Sequence, residues 1–269
     1  MGIVLQFVKL GGSLITDKTR GYTARRETIR RLAEEVRRSL DGEPGLRLLL
    51  GHGSGSFGHW AAEPYGTQKG VRTPREWRGY AEVGAAAARL NRIVTDAFLE
   101  AGVPVLSVQP SASARCRGGE LVTLDTHPIE AALDHGLVPL VYGDVALDEV
   151  RGGTIASTED LFVYLADELE PDRILLLSRV TGVLDADDAV IPQITPASLP
   201  RLREMLSGSE AVDVTGGMAD KVERMVELVA RHPRTTVRIL TGTEPGLLMR
   251  CLVDEDAGAG TLIGSERGD

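Results

Sequence analysis

The sequence predicts an α/β protein in which helices cover both faces of a mainly parallel central sheet, forming a three-layer αβα sandwich. Two observations predict this class. Short continuous runs of Val, Leu and Ile, typical of strands buried on both faces, recur along the chain, and helical segments separate them. The 269 residues suffice for one domain with a substantial core, and neither a low-complexity linker nor an internal repeat divides them.

Six apolar runs are predicted to be the strands of this sheet. Each is about four to six residues long and is bounded by turn-forming or charged residues, as expected for buried strands. In chain order they lie at 3–8, 46–50, 103–108, 137–141, 173–177 and 237–240. Glycine turns follow most of them, which places these turns at the carboxyl ends of parallel strands, where ligands bind in open α/β sheets.

Five segments between the strands are predicted to be helices. The first begins at a Thr23 cap, carries its apolar residues on one face to about Leu40, and stops at Asp41-Gly42. The longest contains four consecutive alanines, Ala85–Ala88, suited to close packing. The predicted helices lie at 23–40, 73–101, 129–134, 159–169 and 217–230.

Composition excludes several classes of protein. The net charge of −9 argues against broad binding to nucleic acid or to an anionic membrane. No apolar run approaches the ~18 residues of a membrane span, and no secretory segment is visible at the N-terminus, so a cytoplasmic protein is expected. The two cysteines, Cys116 and Cys251, lie far apart and outside any metal-ligand spacing, which indicates ordinary reduced thiols.

Lysine is scarce in this chain. Only four of the 30 basic residues are Lys, and all others are Arg. Lys69 lies in a polar segment and is interpreted as a surface residue, whereas Lys9, Lys18 and Lys221 each lie beside glycines or a turn. A compact ammonium on a flexible stem is suited to a phosphoryl group.

The glycines of the stretch GHGSGSFGH, at 51–59, contain G-x-G-x-x-G after an apolar run. A dinucleotide-binding fold is not supported, because 62–92 contains no second strand that ends in an acidic residue. A P-loop motif is also absent. Further glycine turns occur at 11–12, 143, 182, 216–217 and 242. Together with Lys9 and Lys221 they indicate a groove that holds several phosphates.

Five segments resemble the amino acid kinase family, and within it most closely the isopentenyl phosphate kinases. They occur in the family's order and span nearly the whole chain. The segments are KLGGSLITDK at 9–18, GHGSGSFGH at 51–59, SVQPSA at 107–112, YGDV at 142–145 and DVTGGMADK at 213–221.

This resemblance implies the amino acid kinase fold and transfer of the γ-phosphoryl group of ATP to isopentenyl phosphate, giving isopentenyl diphosphate in a mevalonate-type isoprenoid route. It implies one domain over 1–269, with an acceptor-binding lobe at about 1–145 and a nucleotide-binding lobe at about 146–269. It also implies Mg²⁺ bridging the ATP phosphates with few direct protein ligands, none of them assigned to a residue, and a homodimer.

The same resemblance implies roles for individual residues. Lys9, Lys18, His59 and Lys221 are expected to be catalytic, and Asp144 to organise the lysines. The acceptor phosphate is expected to contact Ser54, His59 and Thr158. The residues expected to bind ATP are Lys9, Gly11, Gly12, Ser13, Gly55, Ser178, Thr181, Gly182, Gly217 and Lys221.

Two departures from the family pattern keep alternatives open. The chain has Ser178-Arg179-Val180-Thr181-Gly182 where relatives often show T-D-V-D-G, and Ser157-Thr158-Glu159 where they show S-G-D. The first concerns nucleotide contacts and the second concerns the acceptor side. The alternatives are another small phosphate or phosphonate kinase, similar to a fosfomycin kinase, and a non-catalytic nucleotide-binding regulator. An apolar tunnel along the predicted helix 73–101 would favour a prenyl acceptor.

Overall fold

The computed structural model of the protein describes residues 4–200, 217–255 and 257–265. The strands in these ranges are β1 Val4–Leu10, β2 Leu46–His52, β3 Val105–Ser107, β4 Arg115–Arg117, β5 Glu120–Thr123, β6 Val138–Tyr142, β7 Asp144–Asp148, β8 Gly152–Ala156, β9 Arg173–Ser178, β10 Gln193–Ile194, β11 Thr236–Thr241 and β12 Thr261–Ile263. The helices are α1 Gly12–Ile15, α2 Arg26–Gly42, α3 Gly55–Ala62, α4 Pro74–Glu100, α5 His127–Asp134, α6 Thr158–Leu169, α7 Gly217–Arg231 and α8 Leu247–Val253.

The central sheet has eight strands in the order β10-β12-β11-β9-β1-β2-β6-β3. Its neighbouring strands are parallel, except that β12 is antiparallel to β11. All six predicted strands lie in this sheet, so the predicted mainly parallel sheet is confirmed. The carboxyl ends of β1, β2 and β9 meet at one edge, which is where the conserved handedness of parallel units brings their following turns together.

Helices cover both faces of the sheet. Residues of α1, α2, α3, α4 and α8 form one apolar layer with one face of the strands, and residues of α5, α6 and α7 form the other layer. The side chains of β1 alternate between them: Val8 and Leu10 belong to the first layer, and Phe7 belongs to the second. The three-layer αβα sandwich predicted from the sequence is therefore confirmed.

A second sheet of four strands, in the order β5-β4-β7-β8, was not predicted. It packs beside α4, and only Gly143 separates its strand β7 from β6 of the central sheet. The Asp148 carboxylate at the end of β7 accepts backbone N–H groups of Gly118, Gly119, Val150 and Arg151 at 2.6–3.1 Å. This carboxylate ties two turns of the small sheet together.

Three predicted boundaries were wrong in detail. Thr23 does not cap the first long helix, because α2 begins at Arg26 and the Thr23 hydroxyl donates to the Gly21 carbonyl oxygen at 3.1 Å. Gly42 is the last residue of α2 and not its stop. The expected tight turn at 10–13 continues into the short helix α1. By contrast, α4 begins where expected, with a capping box between Thr73 and Glu76.

In the described part of the chain, no helix combines the length and the apolar character needed to cross a membrane. Cys116 and Cys251 are both buried and are not joined in a disulfide.

Candidate active site

Two glycine turns touch at the carboxyl edge of the central sheet. The Gly11 N–H donates to the Leu177 carbonyl oxygen at 2.8 Å, and the Gly53 N–H donates to the Leu10 carbonyl oxygen at 3.1 Å. A Cβ placed on Gly12 would lie 2.7 Å from both the N and the Cα of Gly55. The turns after β1 and β2 therefore approach each other at a distance that side chains would prevent.

The stretch at 51–59, expected to be a loop, contains the start of α3 at Gly55. Gly55 has φ of +52°, and a Cβ there would lie 2.3 Å from Thr16 Oγ1. The Thr16 hydroxyl donates to the Gly12 carbonyl oxygen at 2.6 Å and accepts the Ser56 N–H at 2.9 Å. This hydroxyl holds α1 against the first turn of α3, so both turns form one backbone surface.

Two lysines share one carboxylate beside these turns. Lys9, near the end of β1, pairs with Oε1 of Glu159 in the first turn of α6. Lys221, in the first two turns of α7, brings its Nζ to 3.3 Å from the same oxygen. The Lys9 side chain is 7% exposed, the Glu159 side chain 16% and the Lys221 side chain 22%. The cluster therefore carries two positive charges and one negative charge in a largely buried place.

The electrostatics of this cluster favour an additional anion. Burial lowers the pKa of Lys9, and the charge of Lys221 adds to this effect while Glu159 opposes it. Burial also opposes ionisation of Glu159, but the charges of Lys9 and Lys221 outweigh burial and lower the pKa of this carboxyl to about 2. One carboxylate thus remains ionised at neutral pH and leaves one positive charge uncompensated.

Asp144, which was expected to organise the lysines, makes no hydrogen bond or ion pair with a lysine among the described residues. It lies at the start of β7, where its carboxylate accepts the N–H of Ser111 at 3.2 Å and that of Val145 at 2.9 Å. Burial raises the pKa of Asp144, and these hydrogen bonds oppose the rise. The residue that organises the lysines is Glu159, which the sequence marked only as a departure from a family motif.

Thr158 contacts protein and not an open cleft. Its side chain is buried, and its hydroxyl donates to the His52 carbonyl oxygen at 2.6 Å. The ring nitrogens of His52 lie 3.1 Å from the Gly53 carbonyl oxygen and 3.2 Å from Asn91 Oδ1, and the ring stacks on Tyr142. Burial lowers the pKa of His52 to about 4, so the ring is neutral at neutral pH. Thr158 and His52 hold the end of β2 from which the second glycine turn begins.

The residues expected to contact the acceptor differ in exposure. Ser54 precedes α3, and its Oγ occupies the space where a Cβ on Gly58 would lie. His59 is exposed on α3, and Lys18 is exposed after α1. The structure thus places Ser54 and His59 on one short helix next to the contact between the glycine turns, and it places Lys18 on the surface segment that follows α1.

The residues expected to bind ATP lie around the same edge of the sheet. Gly11, Gly12 and Ser13 follow β1, Ser178 ends β9, and Thr181 and Gly182 follow it. The Ser178 hydroxyl accepts the Val180 N–H at 3.2 Å, Thr181 is exposed, and Gly182 packs against Thr261. Gly217 begins α7. Residues 213–216 of the DVTGGMADK segment lie outside the described residues.

Two positioning residues, Glu159 and His52, were missed by the sequence reasoning. A signal for Glu159 existed, because Ser157 and Asp160 form a capping box that fixes the start of α6 and places Glu159 in its first turn at the site's edge. No comparable signal exists for His52, whose importance comes from burial beside Asn91 and Tyr142.

A cationic cluster beside two touching glycine turns, at the carboxyl edge of a three-layer α/β sheet, is suited to holding phosphoryl groups. Residues 5–240 match the model of the amino acid kinase family. The chain belongs to this family and is therefore a phosphotransferase.

Its relatives within the family include isopentenyl phosphate kinases. The enzyme of Haloferax volcanii is 39% identical over 251 residues, covering 91% of this chain and 98% of the relative. That of Methanocaldococcus jannaschii is 35% identical over 227 residues, covering 82% and 86%. A solved isopentenyl phosphate kinase structure superposes with a TM-score of 0.81 at 29% identity, covering 96% of this chain and 100% of that chain.

Proposed function

We propose that this protein transfers the γ-phosphoryl group of ATP to isopentenyl phosphate, forming isopentenyl diphosphate and ADP. The observation that carries the proposal is the Lys9–Glu159–Lys221 cluster beside the contact between the two glycine turns. The similarity to isopentenyl phosphate kinases over most of the chain supports the choice of acceptor.

The first physical problem of this reaction is repulsion between two anions. Two unit charges 4 Å apart repel by about 4 kcal/mol at an effective dielectric of 20, and each phosphate carries more than one charge. The cluster's uncompensated positive charge lies where the phosphates would meet, so the phosphates would offset the cost of burying the two ammonium groups. Phosphoryl transfer otherwise requires mainly positioning.

The chain's own groups supply that positioning. Backbone N–H groups at Gly12 and Gly55 would approach the phosphates closely, because no Cβ separates these turns. Lys9 and Lys221 would hold the transferring group and the ATP phosphates, and Lys18 would add a third cation from the segment after α1. Ser54 and His59 would hold the acceptor phosphate from α3, with the imidazole as a donor.

The chemical step is an in-line displacement. An oxygen of the acceptor phosphate forms a bond to the γ-phosphorus of ATP, and the bond from that phosphorus to the bridging oxygen breaks, so that ADP leaves with the electron pair. A phosphate oxygen is already deprotonated and needs no general base. The lysines would then act by stabilising the charge spread over the transferring oxygens.

Magnesium is proposed to enter as a complex with ATP. Among the described residues, no group of three or more His, Cys, Asp or Glu could hold a metal ion. Glu159, the carboxylate of the cluster, is already engaged by two lysines. We propose that the ion takes its ligands mainly from phosphates and water.

The division of labour along the chain is also proposed. The part at about 1–145 would bind the acceptor and that at about 146–269 the nucleotide, since Ser54 and His59 lie in the first and Glu159, Ser178 and Lys221 in the second. We propose a homodimer, to be checked by light scattering. Two buried, unpaired cysteines are compatible with a cytoplasmic enzyme.

The test is an ADP-release assay with isopentenyl phosphate, dimethylallyl phosphate and fosfomycin at equal concentration. We expect the highest kcat/KM with isopentenyl phosphate. Turnover of fosfomycin alone would instead identify the protein as a phosphonate kinase. ATP binding without turnover of any acceptor would indicate a nucleotide-binding regulator.

A further inference from the structure

A second cationic cleft lies on the opposite face of the central sheet from the lysine cluster. It has a volume of about 360 Å³ and is lined by Arg25, Arg31 and Arg179, together with Thr28, Thr243 and Glu27. Leu14, which also lines it, belongs to the apolar layer of α1 and α2, whereas the lysines meet Glu159 on α6. The cleft therefore lies mainly across the sheet from the lysine cluster, although Arg179 belongs to the segment 178–182 whose other residues are expected to bind ATP.

Three guanidinium groups reach this cleft from two segments, the start of α2 and the residues after β9. Arg25 precedes α2, Arg31 lies two turns into α2, and Arg179 follows β9. Arg25 donates its Nε to the Thr16 carbonyl oxygen at 3.1 Å, and its nearest acid, Asp17, is 3.8 Å away. The terminal nitrogens of Arg25 therefore remain largely available.

Arg31 has a mixed role. It donates to the Gly242 carbonyl oxygen, to the Glu244 carbonyl oxygen at 3.4 Å and to Glu35 at 2.5 Å. These contacts fix its guanidinium at the wall of the cleft and neutralise part of its charge.

Arg179 is the freest cation of the three. It is exposed and makes no hydrogen bond or ion pair with another residue in the ranges that the structure describes. The positive end of α2 also faces the cleft through Glu27 and Thr28, and its N-terminal residue supplies no side-chain cap. Glu27 is the one carboxylate on the wall and opposes anion binding.

We propose that this cleft binds the diphosphate group of a small molecule. Guanidinium groups bind phosphate oxygens through paired hydrogen bonds, and three cations around one cleft match an anion whose charge is spread over two phosphoryl groups. The cleft volume is at the lower end of small-molecule sites, which accommodates a diphosphate with a small substituent. Occupation would link α2 to the ends of β9 and β11.

The test is calorimetric titration of the full chain with inorganic pyrophosphate at constant ionic strength. We expect two sites in the wild type, one lost in Lys221→Ala and the other weakened at least about tenfold in Arg179→Glu. Arg30→Ala, an exposed arginine on α2 outside the cleft, is the matched control and should retain both sites. Glu27→Gln should tighten the cleft site only.

One site in the wild type, or two undiminished sites in Arg179→Glu, would overturn the proposal. An unchanged affinity in Glu27→Gln would also contradict it. Unfolding temperatures of all variants are compared with the wild type, so that loss of fold is not mistaken for loss of binding.

The source of the diphosphate is identified by titrating Lys221→Ala with ADP and with isopentenyl diphosphate. Binding that Arg179→Glu weakens assigns the cleft to that compound, and binding of pyrophosphate alone assigns it to the inorganic ion. The titrations with ADP and isopentenyl diphosphate rest on the proposed function, whereas the titration with pyrophosphate does not. If the protein binds pyrophosphate at both sites but does not phosphorylate isopentenyl phosphate, the proposed function is refuted and the diphosphate site in the cleft still stands.

Discussion

Replacement of Glu159 by Gln tests the lysine cluster directly. The pKa of this carboxyl is lowered from 4.5 to about 2, which at about 1.4 kcal/mol per pKa unit corresponds to about 3 kcal/mol of stabilisation in the ionised form. The substitution keeps the shape of the side chain but leaves Lys9 and Lys221 without their shared counter-charge. Glu159→Gln should therefore unfold at neutral pH with a free energy about 3 kcal/mol below that of the wild type.

The pH dependence of this difference has a defined sign. The carboxyl has a lower pKa in the folded state than in the unfolded state, so its contribution is complete above about pH 4.5 and is lost as the pH falls towards 2. At pH 3 the difference between wild type and Glu159→Gln should be less than about half its value at pH 7. Urea denaturation curves recorded between pH 3 and pH 7 measure it.

Glu168→Gln is the matched control, since Glu168 lies on the same helix and is exposed. This control should change the free energy of unfolding by less than about 0.5 kcal/mol at every pH. A stabilising role of the Glu159 charge is excluded if Glu159→Gln is as stable as Glu168→Gln at pH 7, or if its loss of stability does not shrink in acid.

Three further predictions concern the site. His59→Ala should lower kcat/KM for the acceptor about 10²-fold and leave the KM for ATP unchanged, because one preorganised donor to the acceptor phosphate is removed. Gly55→Ala should lower the free energy of unfolding by at least about 2 kcal/mol, because its φ is +52° and a Cβ would collide with Thr16 Oγ1. At alkaline pH, kcat should begin to fall below pH 10.5, because burial lowers the pKa of Lys9. Glu159→Gln should move this fall to still lower pH, because it removes the charge that raises this pKa.

Each of these has a control. His127→Ala removes another exposed imidazole, and equal losses in both variants would remove the special role of His59. Gly66 has a similar φ of +63°, but a Cβ there would lie in open space, so Gly66→Ala should lower the free energy of unfolding less than Gly55→Ala does. Equal losses in the two variants would show that the collision with Thr16 contributes nothing. An alkaline fall in kcat that begins at the same pH in wild type and Glu159→Gln would show that Lys9 does not titrate in the reaction.

The large sheet could be predicted because each of its main strands is a continuous apolar run, and burial on both faces produces that pattern without reference to distant residues. The small sheet could not be predicted from the sequence. Its strands β4 and β5 are three and four residues long, and exposed residues such as Arg115 and Arg117 alternate with buried Cys116. A run this short and polar is indistinguishable from a loop.

The candidate site was predicted in part for a similar reason. The glycine turns and Lys9 are local signals at the ends of predicted strands, so their shared edge followed from the topology. The partner of Lys9 could not be predicted, because Glu159 is 150 residues away in the sequence. A charge pair between such distant residues produces no periodic pattern in the sequence. Asp144 was assigned instead, and the structure shows its carboxylate engaged with the backbone of Ser111 and Val145.

The most direct measurement is to follow the γ-phosphoryl group itself. ATP labelled with ³²P at the γ-position is incubated with the protein and isopentenyl phosphate, and the products are separated. We expect the label in the terminal phosphoryl group of isopentenyl diphosphate, in an amount equal to the ADP formed. Label recovered as inorganic phosphate, or ADP formed at the same rate without the acceptor, would contradict the proposed transfer.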